Sequence, residues 1–374
     1  MVRKMDIQLF IDMLNVDSTT GREGEFADYL VHRLASPGCR IERFPVESVS
    51  CDEGYRQQEN LLLSWGEPKV IFCTHLDTVP PYIPPSIERD AEGNILEFRG
   101  RGTCDAKGQI FSMYQACLRL EKEGLDGFGL LLLSGEETGS FGAKAFMQVH
   151  PGAEWVIVGE PTDNAMASAS KGTKSFEVTF TGKAAHSGYP SQGESAILMF
   201  NDFVNALRSV EFPEDETLGP TTWNIGKLTS DNPQNILSEK LSCRVYFRTT
   251  FASDQMVSNV MKNMAGEDAR LRFGRRHAAD GSDLVAKDVA PWQKAMKVEA
   301  FGGDSPTRYE VLEGFDTKPV AFGSDAPQLT NFTKRCLCGP GSILVAHTSR
   351  EFVTLADLEQ ATANYVKMYE IINK

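Results

Sequence analysis

Short apolar runs alternate with amphipathic stretches through the first 160 residues of the chain. The runs at 70–73, 129–133 and 155–158 predict buried strands. Helices are predicted at 20–34, where Thr20-x-x-Glu23 is a candidate capping box, and at 108–123. Strands that alternate with helices are typical of a mostly parallel sheet flanked by helices. We therefore expect an α/β domain in the first part of the chain.

The pattern changes after residue 173. Segments 175–183, 222–230 and 241–250 alternate β-branched or aromatic residues with polar ones, and a helix is predicted at 194–210. This combination predicts an antiparallel sheet in an α+β domain. The first pattern returns towards the end of the chain, with predicted helices at 291–301 and 354–372 and an apolar segment at 318–322 between them. The simplest organisation is an α/β domain, residues 1–173 and 286–374, interrupted by an inserted α+β domain, residues 174–285.

Composition and charge exclude several classes of partner. A chain of 374 residues is longer than one hydrophobic core usually serves, which agrees with two domains. Its 38 Lys plus Arg against 51 Asp plus Glu give a net charge of −13, without a basic tract, so we expect no nucleic-acid partner. The sequence has no apolar stretch of the ~20 residues that a membrane-spanning helix needs, so we expect no membrane partner.

The N-terminus and the cysteines indicate a cytoplasmic protein. Apolar residues in 1–16 recur at helical spacing and are interrupted by Asp6, Gln8 and Asp12, which is unlike a secretory signal. The eight cysteines are scattered, and none stands in a Cys-x-x-Cys pair. This distribution is typical of reduced core thiols.

Histidines and acidic residues follow the predicted strands. His75 and Asp77 come two residues apart after the run at 70–73, so in an extended chain they face the same side. A metal-binding histidine oriented by a carboxylate has this pattern, although an ordinary loop would explain it as well. Asp105 lies in a glycine-rich segment before a predicted helix, where a carboxylate could bridge two metals or the turn could be purely structural.

Three further segments place such residues after strands. Glu136 and Glu137 are adjacent, and successive side chains of an extended segment point opposite ways, so one could bind a metal while the other transfers protons. Both could instead belong to a solvated turn. Glu160 and His347 each follow another apolar run. Open α/β sheets bind ligands beyond the carboxyl ends of their strands, so the coincidence is more informative than any one segment. The set would suit a pair of zinc sites with room for a water.

Five motifs together resemble a known family. HLDTVP, GRGTCDAKG, SGEETGSFGA, GEPT with KGTKSFEVTFTGKAAHSGYP, and GPGSILVAH occur in order over nearly the whole chain. In order and spacing they resemble the co-catalytic zinc amidohydrolases, which include acetylornithine deacetylase, succinyl-diaminopimelate desuccinylase, aminoacylases and carboxypeptidase G. The resemblance is strongest to acetylornithine deacetylase and implies a catalytic domain with an inserted lid and dimerisation domain.

The resemblance implies a role for each matching residue. Two Zn²⁺ per chain are expected, and Co²⁺ or Mn²⁺ would suit the same donors. His75 and Glu160 would bind one ion and Glu137 and His347 the other, with Asp105 bridging. Asp77 would orient His75, and Glu136 would be the general base that takes a proton from the metal-activated water. A cis bond before Ala106 is also implied.

The resemblance assigns further residues to the lid and to the substrate. His186 would stabilise the oxyanion across a homodimer interface, and Asn235 and Arg248 would bind substrate. Arg244 shares a strand face with Arg248 and is an alternative ligand for a substrate carboxylate. Gly323 and Ser324, followed by Asp325, resemble a loop beside the substrate. The sequence differs from that of many family members at 81–98, at Ala106 and at Tyr246. These differences affect the expected substrate pocket more than the expected metal ligands.

The leading hypothesis is a cytoplasmic homodimeric zinc deacylase of N-acyl amino acids, as in arginine biosynthesis. A dipeptidase or carboxypeptidase that cleaves short peptides is the enzymatic alternative. A catalytically inactive binding relative is a third possibility, which the intact set of candidate ligands disfavours. A metal-dependent phosphatase or nuclease would need a basic pocket, which the net charge of −13 makes unexpected.

Overall fold

The computed structural model describes residues 5–46, 54, 56–265 and 290–374. These residues divide into two compact units. Unit 1 takes its described residues from Met1–Ser168, Arg308–Lys318 and Ser324–Lys374. Unit 2 takes them from Ala169–Thr307 and Pro319–Gly323.

Helices and strands alternate along most of the described chain. In chain order they are α1 (Ile7–Leu14), α2 (Glu23–Arg33), β1 (Arg40–Pro45), β2 (Glu59–Trp65), β3 (Val70–His75), β4 (Ser86–Arg89), β5 (Ile95–Arg99), α3 (Lys107–Lys122), β6 (Phe128–Leu133), α4 (Phe141–Val149), β7 (Trp155–Val158), β8 (Met166–Ser170), β9 (Gly172–Thr181), α5 (Ala196–Arg208), β10 (Thr222–Thr229), β11 (Lys240–Thr249), α6 (Asp254–Asn263), α7 (Pro291–Ala295), β12 (Met296–Gly302), β13 (Thr307–Arg308), β14 (Thr317–Val320), β15 (Lys334–Leu337), β16 (Phe352–Thr354) and α8 (Leu355–Ile372). A short 3₁₀ helix spans Pro190–Gln192.

The main sheet of unit 1 confirms the predicted mostly parallel sheet. Its strand order is β1-β2-β6-β3-β7-β15, with parallel pairing among β6, β3, β7 and β15 and antiparallel pairing of β1 and β2 at one edge. Every residue of β3, β6 and β7 is buried, because helices pack on the sheet. The apolar runs therefore form strands that are covered on both faces, as is usual for parallel sheets.

Two smaller sheets accompany it. Their orders are β16-β5-β4 and β13-β8-β14. Strand β16 leads directly into α8, whose first turn is capped by Thr354, because the Thr354 hydroxyl accepts a hydrogen bond from the Asp357 N–H at 3.0 Å. The predicted helix at 354–372 is thus confirmed. Among the residues that the structure describes, no helix combines the length and the apolar character that crossing a membrane requires.

Unit 2 contains the predicted antiparallel sheet, in the order β10-β11-β9-β12. One face of this sheet is apolar and packs with α5, α6 and α7 around residues such as Phe203, Phe247 and Trp292. Arg244, Tyr246 and Arg248 alternate with the buried positions of β11 and lie on the opposite face. This arrangement of helices on one side of an antiparallel sheet is the α+β organisation that the sequence predicts.

The helix predicted at 291–301 is wrong in its second half. Helix α7 ends at Ala295, and the chain continues as strand β12, where Met296 and Val298 lie opposite Phe180 and Val178 of β9. Pairing with an existing buried strand overrides the local helical pattern. Residues 290–307 consequently lie in unit 2, beyond the boundary predicted at residue 285.

The predicted capping box at Thr20 and Glu23 is also wrong. Helix α2 begins at Glu23 after Arg22, and the Glu23 carboxylate accepts a hydrogen bond from the Gly21 N–H at 2.6 Å. The Thr20 hydroxyl instead donates to the Asp77 carboxylate at 3.0 Å. The Thr20 side chain therefore supports the candidate site rather than the helix.

Candidate metal centre

His75 is the last residue of β3 and is buried at the carboxyl end of the main sheet. Its Nδ1 lies 2.9 Å from the backbone carbonyl oxygen of Asp77 and 3.5 Å from the Asp77 carboxylate. A carbonyl oxygen only accepts hydrogen bonds, so Nδ1 carries a proton and donates it. Nε2 is then the atom that is free to bind a metal.

Asp77 connects His75 with the turn that carries the adjacent glutamates. Its Oδ1 accepts a hydrogen bond from the Glu136 N–H at 3.0 Å, and its Oδ2 accepts one from the Glu137 N–H at 3.2 Å. Residues 136–139 form a turn after β6 rather than the extended segment that we expected. The Asp77 carboxylate, and not strand pleating, therefore orients this pair.

Asp105 lies in a turn before α3, and its bond to Ala106 is cis, as the resemblance implies. Its two carboxylate oxygens face two different histidines. Oδ1 is 3.0 Å from His75 Nε2, and Oδ2 is 3.2 Å from His347 Nε2. The carboxylate thus stands between two imidazoles, which is the arrangement of a bridging ligand.

Glu137 and His347 complete one side of this arrangement. His347 Nε2 is 3.0 Å from Glu137 Oε1, and the His347 side chain is 49% exposed. The φ angle of His347 is +61°, a backbone conformation that is uncommon for residues other than glycine. Residues in such conformations are concentrated at functional sites, where the surrounding structure holds them in place.

The donor set fits two tetrahedral or five-coordinate metals. Ligand atoms of His75, Asp105 and Glu137 all lie within 4.8 Å of one another. Two ligand atoms on one zinc, each at about 2.0 Å, are separated by about 3.3 Å in tetrahedral geometry. The separations of 3.0–3.2 Å on both sides of Asp105 are close to that value. Nitrogen and carboxylate donors of this kind suit zinc, and also cobalt or manganese.

The charges in the centre shift several pKa values. Burial would raise the pKa of Asp105, but hydrogen bonds from His347 and His75 outweigh it and hold that pKa below its usual range. Hydrogen bonds with Asp105 and Glu137 raise the pKa of His347 to about 10. Burial alone would lower the pKa of His75, yet its hydrogen bonds with Asp105 and Asp77 raise it well above the usual value. The metal-free centre therefore holds protons where cations would bind.

Glu136 and Glu160 are the remaining acidic residues near the centre. Burial raises the pKa of both carboxyls well above the usual value. The negative charge of Asp325 raises the pKa of Glu136 further, and the charges of Glu136 and Asp105 do the same for Glu160. Glu160 lies two residues after the end of β7, and its side chain is buried. The structure thus brings together all five predicted metal ligands and the predicted base at one end of the unit 1 sheet.

The predicted lid residues His186 and Asn235 are neighbours within unit 2. The Ser187 N–H donates to the Asn235 carbonyl oxygen at 2.9 Å, and His186 and Ile236 form an isolated β-bridge. Both His186 and Asn235 are exposed. His186 Nδ1 accepts a hydrogen bond from the Gly188 N–H at 3.0 Å, so in the neutral imidazole Nε2 carries the proton.

The two candidate arginines on β11 have different surroundings. The Arg244 guanidinium lies 3.4 Å from the centroid of the Phe301 ring and 3.7 Å from the Glu177 carboxylate. Arg248 lies over the Tyr246 ring at 5.1 Å and forms no hydrogen bond or ion pair with another residue of the described chain. A side chain added to Gly323 would come 3.8 Å from Arg248 Nη1, so this predicted loop residue is beside it.

Ser324 lies in unit 1 and is buried. Its hydroxyl oxygen accepts a hydrogen bond from the Ala326 N–H at 3.3 Å. This bond uses one lone pair of the hydroxyl and holds the Ser324 side chain in its own turn.

Sequence reasoning assigned no role to several residues that support the centre. Glu351 accepts hydrogen bonds from the N–H groups of Cys104 and Asp105, and Thr20 donates to Asp77. The position of Glu351 four residues after His347 was a weak signal, because it did not indicate which turn the carboxylate would reach. Contacts across more than 200 positions are visible only in the fold.

Comparison with known families agrees with this geometry. The family model described as peptidase family M20/M25/M40 matches residues 71–370. The chain belongs to this family. The match includes every residue of the candidate metal centre and most of both units.

Individual similar proteins extend the comparison over almost the whole chain. A probable carboxypeptidase of Aspergillus terreus is 30% identical over 384 residues, which are 96% of this chain and 84% of the relative. Two solved structures share the fold. A tripeptidase of Staphylococcus aureus has a TM-score of 0.73 at 18% identity, covering 98% of this chain and 97% of the other. An M20 metallo-carboxypeptidase of Sulfolobus solfataricus has a TM-score of 0.69 at 14% identity, covering 98% and 99%.

Membership of the M20 family makes the chain a peptidase-type hydrolase with a candidate metal site. It confirms the resemblance at the level of the family. The particular likeness to acetylornithine deacetylase is a narrower expectation, and these relatives bear peptidase names instead. The choice between deacylase and peptidase therefore depends on the substrate.

Proposed function

We propose that this M20 protein is a metal-dependent carboxypeptidase that hydrolyses the amide bond before a residue with a free α-carboxylate. The position of Asp105 between His75 and His347 is the observation that carries the proposal. A carboxylate that offers one oxygen to each of two imidazoles has the geometry of a bridge between two cations. Such metal pairs catalyse hydrolysis in aminopeptidases and in phosphatases.

The proposed ligands divide into two sets. His75 and Glu160 would hold one Zn²⁺, Glu137 and His347 the other, and Asp105 both. Co²⁺ and Mn²⁺ are the alternative ions. When bound, such a pair activates a water and polarises the carbonyl of the substrate.

Glu136 is the proposed general base. Its backbone is held by Asp77, so its carboxyl is presented by a fixed turn beside the metal ligands. Its burial among other carboxylates raises its pKa, which favours holding a proton during the reaction. In the proposed mechanism the Glu136 carboxylate takes a proton from water and then delivers it to the nitrogen of the leaving amine.

Arg248 is the proposed ligand of the substrate carboxylate. Its guanidinium has no charged partner in the described part of the chain, whereas Arg244 is engaged by Glu177 and Phe301. Burial lowers the pKa of Lys171, and the positive charge of Arg248 lowers it further, so a second cation lies in the same region. An arginine without an internal partner is suited to a bidentate bond with a carboxylate. Asn235, Gly323 and Ser324 are further proposed contacts.

His186 is proposed to stabilise the oxyanion from the second subunit of a homodimer formed through unit 2. Its exposure, and an Nε2 with no hydrogen-bond partner among the described residues, suit a donor that acts outside its own subunit. We also propose a homodimer, a cytoplasmic location and zinc as the metal.

N-acyl amino acids are the second candidate substrates. They present the same free carboxylate and the same secondary amide as a peptide with a carboxy-terminal residue, so Arg248 and the metal ligands would serve both. The names of the relatives, probable carboxypeptidase and metallo-carboxypeptidase, favour peptides. A role in arginine biosynthesis would follow only if N-acetylornithine were the preferred substrate. A binding protein without activity is the non-enzymatic alternative.

Mass-spectrometric turnover by the zinc-loaded protein tests the proposal. The panel would contain acyl-blocked dipeptides with free and with amidated carboxyl termini, unblocked dipeptides, N-acetylornithine, N-acetylmethionine and N-succinyl-diaminopimelate. Cleavage of blocked dipeptides only when the carboxyl terminus is free, absent in Glu136→Ala, is the expected result. Faster cleavage of the acylated amino acids would favour deacylation, and no cleavage with two metals bound would favour a binding role.

A further inference from the structure

Arg101 and Glu351 form a buried ion pair that borders the candidate metal centre. Their side chains are 3% and 0% exposed, and Arg101 Nη1 lies 2.5 Å from Glu351 Oε2. Neither residue belongs to the ligand set. Arg101 lies four residues before Asp105 in the same turn segment, and Glu351 precedes β16.

Glu351 holds the backbone at Asp105 directly. Its Oε1 accepts hydrogen bonds from the N–H groups of Cys104 at 3.2 Å and Asp105 at 3.3 Å. One oxygen of the carboxylate thus binds the turn, and the other binds Arg101. Because the Glu351 carboxylate accepts two successive backbone N–H groups, it fixes the direction in which the Asp105 side chain leaves the turn.

Arg101 extends the connection to the segment that carries His347. Its Nη1 also lies 3.3 Å from the carbonyl oxygen of Thr348, the residue after His347. The Gly100 N–H donates to the Glu351 carbonyl oxygen at 3.1 Å, which joins the two segments a second time. These bonds therefore tie the turn of Asp105 to the loop of His347.

Stability alone is a weak explanation for the pair. A buried ion pair seldom stabilises a fold more than apolar side chains of similar volume would. Here Glu351 also lies beside Asp105, whose N–H it accepts, so repulsion between the two carboxylates adds to the cost of burying them. What apolar residues could not supply is the set of directed hydrogen bonds to the two segments.

We propose that Arg101 and Glu351 are positioning residues that hold Asp105 opposite His347 and thereby set the affinity of the centre for its metals. The inference rests on the proposed bridging role of Asp105. It assigns to the pair an effect on metal binding that is separate from its effect on folding.

Zinc affinity measured by competition with a chromophoric chelator tests the inference, together with the melting temperature of the chelator-treated protein. The variants are Glu351→Gln and Arg101→Lys. Asp254→Asn is the control, because the Lys174–Asp254 ion pair, at 3.1 Å and with both side chains 19% exposed, lies in unit 2. A further variant, Asp105→Asn, tests whether Asp105 itself binds the metals.

For Glu351→Gln we expect zinc affinity to fall by at least ~10-fold, as is typical for partners of metal ligands, with Asp254→Asn unchanged. Arg101→Lys keeps the charge but cannot donate to Glu351 and Thr348 with the same planar group, so a smaller loss, about 3-fold or more, is expected. In Glu351→Gln, kcat should fall while KM stays within about twofold, because the substrate contacts are untouched. If Glu351→Gln does not fold, Arg101→Lys carries the same test.

A lower melting temperature with unchanged zinc affinity in both variants would overturn the inference and leave the pair as a structural brace. That result differs from a failure of the proposed function. If Asp105→Asn bound zinc like the natural sequence, the bridging role of Asp105 would be wrong, and the positioning role would fall with it. Loss of zinc in Asp105→Asn together with Glu351→Gln is the result that supports both.

Discussion

The Asp77 carboxylate accepts the backbone N–H of Glu136 at 3.0 Å, while the Asp77 carbonyl oxygen accepts the His75 Nδ1–H at 2.9 Å. Asp77 therefore orients the proposed ligand His75 through its backbone, and the turn of the proposed base Glu136 and the proposed ligand Glu137 through its side chain. A change of the Asp77 side chain leaves the carbonyl that orients His75 in place.

Asp77→Ala should reduce kcat more than it reduces zinc affinity. The substitution removes the acceptor for the N–H groups of Glu136 and Glu137 and retains the carbonyl that orients His75. We expect kcat to fall by about 10- to 100-fold, the usual effect of removing such a partner. Steady-state kinetics and a chelator competition on the same preparation measure the two quantities. Normal kcat per bound zinc with weakened zinc binding would contradict this account of Asp77.

Glu136→Ala should retain both metals and lose turnover. No ligand is removed, but no carboxylate remains to take and return the proton, which commonly costs ~100-fold or more in kcat. Metal analysis and kinetics with a blocked dipeptide provide the comparison. Turnover close to that of the natural sequence would exclude Glu136 as the base.

Arg248→Ala should raise KM for substrates with a free carboxyl terminus by about 10-fold or more, with a much smaller effect for Arg244→Ala. Arg248 has no ion-pair partner among the described residues, and Arg244 is held by Glu177. Kinetics with a matched pair of substrates, carboxylate and amide, check the prediction. The reverse ranking of the two arginines would assign the carboxylate to Arg244.

The metal-free protein should lose stability as the pH rises above about 6.5, the usual pKa of an unfolded histidine. The folded pKa values of His75 and His347 are raised, that of His347 to about 10. The stabilisation from the two protonated histidines is therefore complete below the unfolded pKa and is lost as the pH rises from that value through the folded pKa values. The raised pKa values of Glu136 and Glu160 act in the same direction. Zinc replaces these protons, so the increase in melting temperature on adding zinc should grow with pH. Thermal unfolding in chelator and in zinc across this range measures both trends, and a zinc effect independent of pH would contradict them.

The sequence predicted those parts of the fold that depend on local pattern. Strands β3, β6 and β7 are uniformly apolar and buried, so their runs were unambiguous. The segment at 296–302 has a mixed pattern, and its pairing with β9 decided its conformation. The predicted capping box failed for a similar reason, because Thr20 donates to Asp77, 57 positions away.

The candidate site residues at the carboxyl ends of the strands were predictable from the sequence. His75 ends a buried strand, and Glu137 and Glu160 lie four and two residues after the ends of two others. Parallel strands bring their carboxyl ends to one edge of the sheet. The supporting contacts were not predictable. Asp77 binds two N–H groups about 60 positions along the chain, and Glu351 binds the Asp105 turn across 246 positions, so neither contact leaves a pattern in the sequence.

The most direct test of a metal pair bridged by Asp105 is the metal content of the purified protein and of Asp105→Ala, measured by calorimetric zinc titration with elemental analysis. Because Asp105 lies between His75 and His347, we expect two zinc ions per chain and a loss of binding at both sites in the variant. Two zinc ions retained by Asp105→Ala, or a single ion bound by the unaltered chain, would contradict a bridged pair.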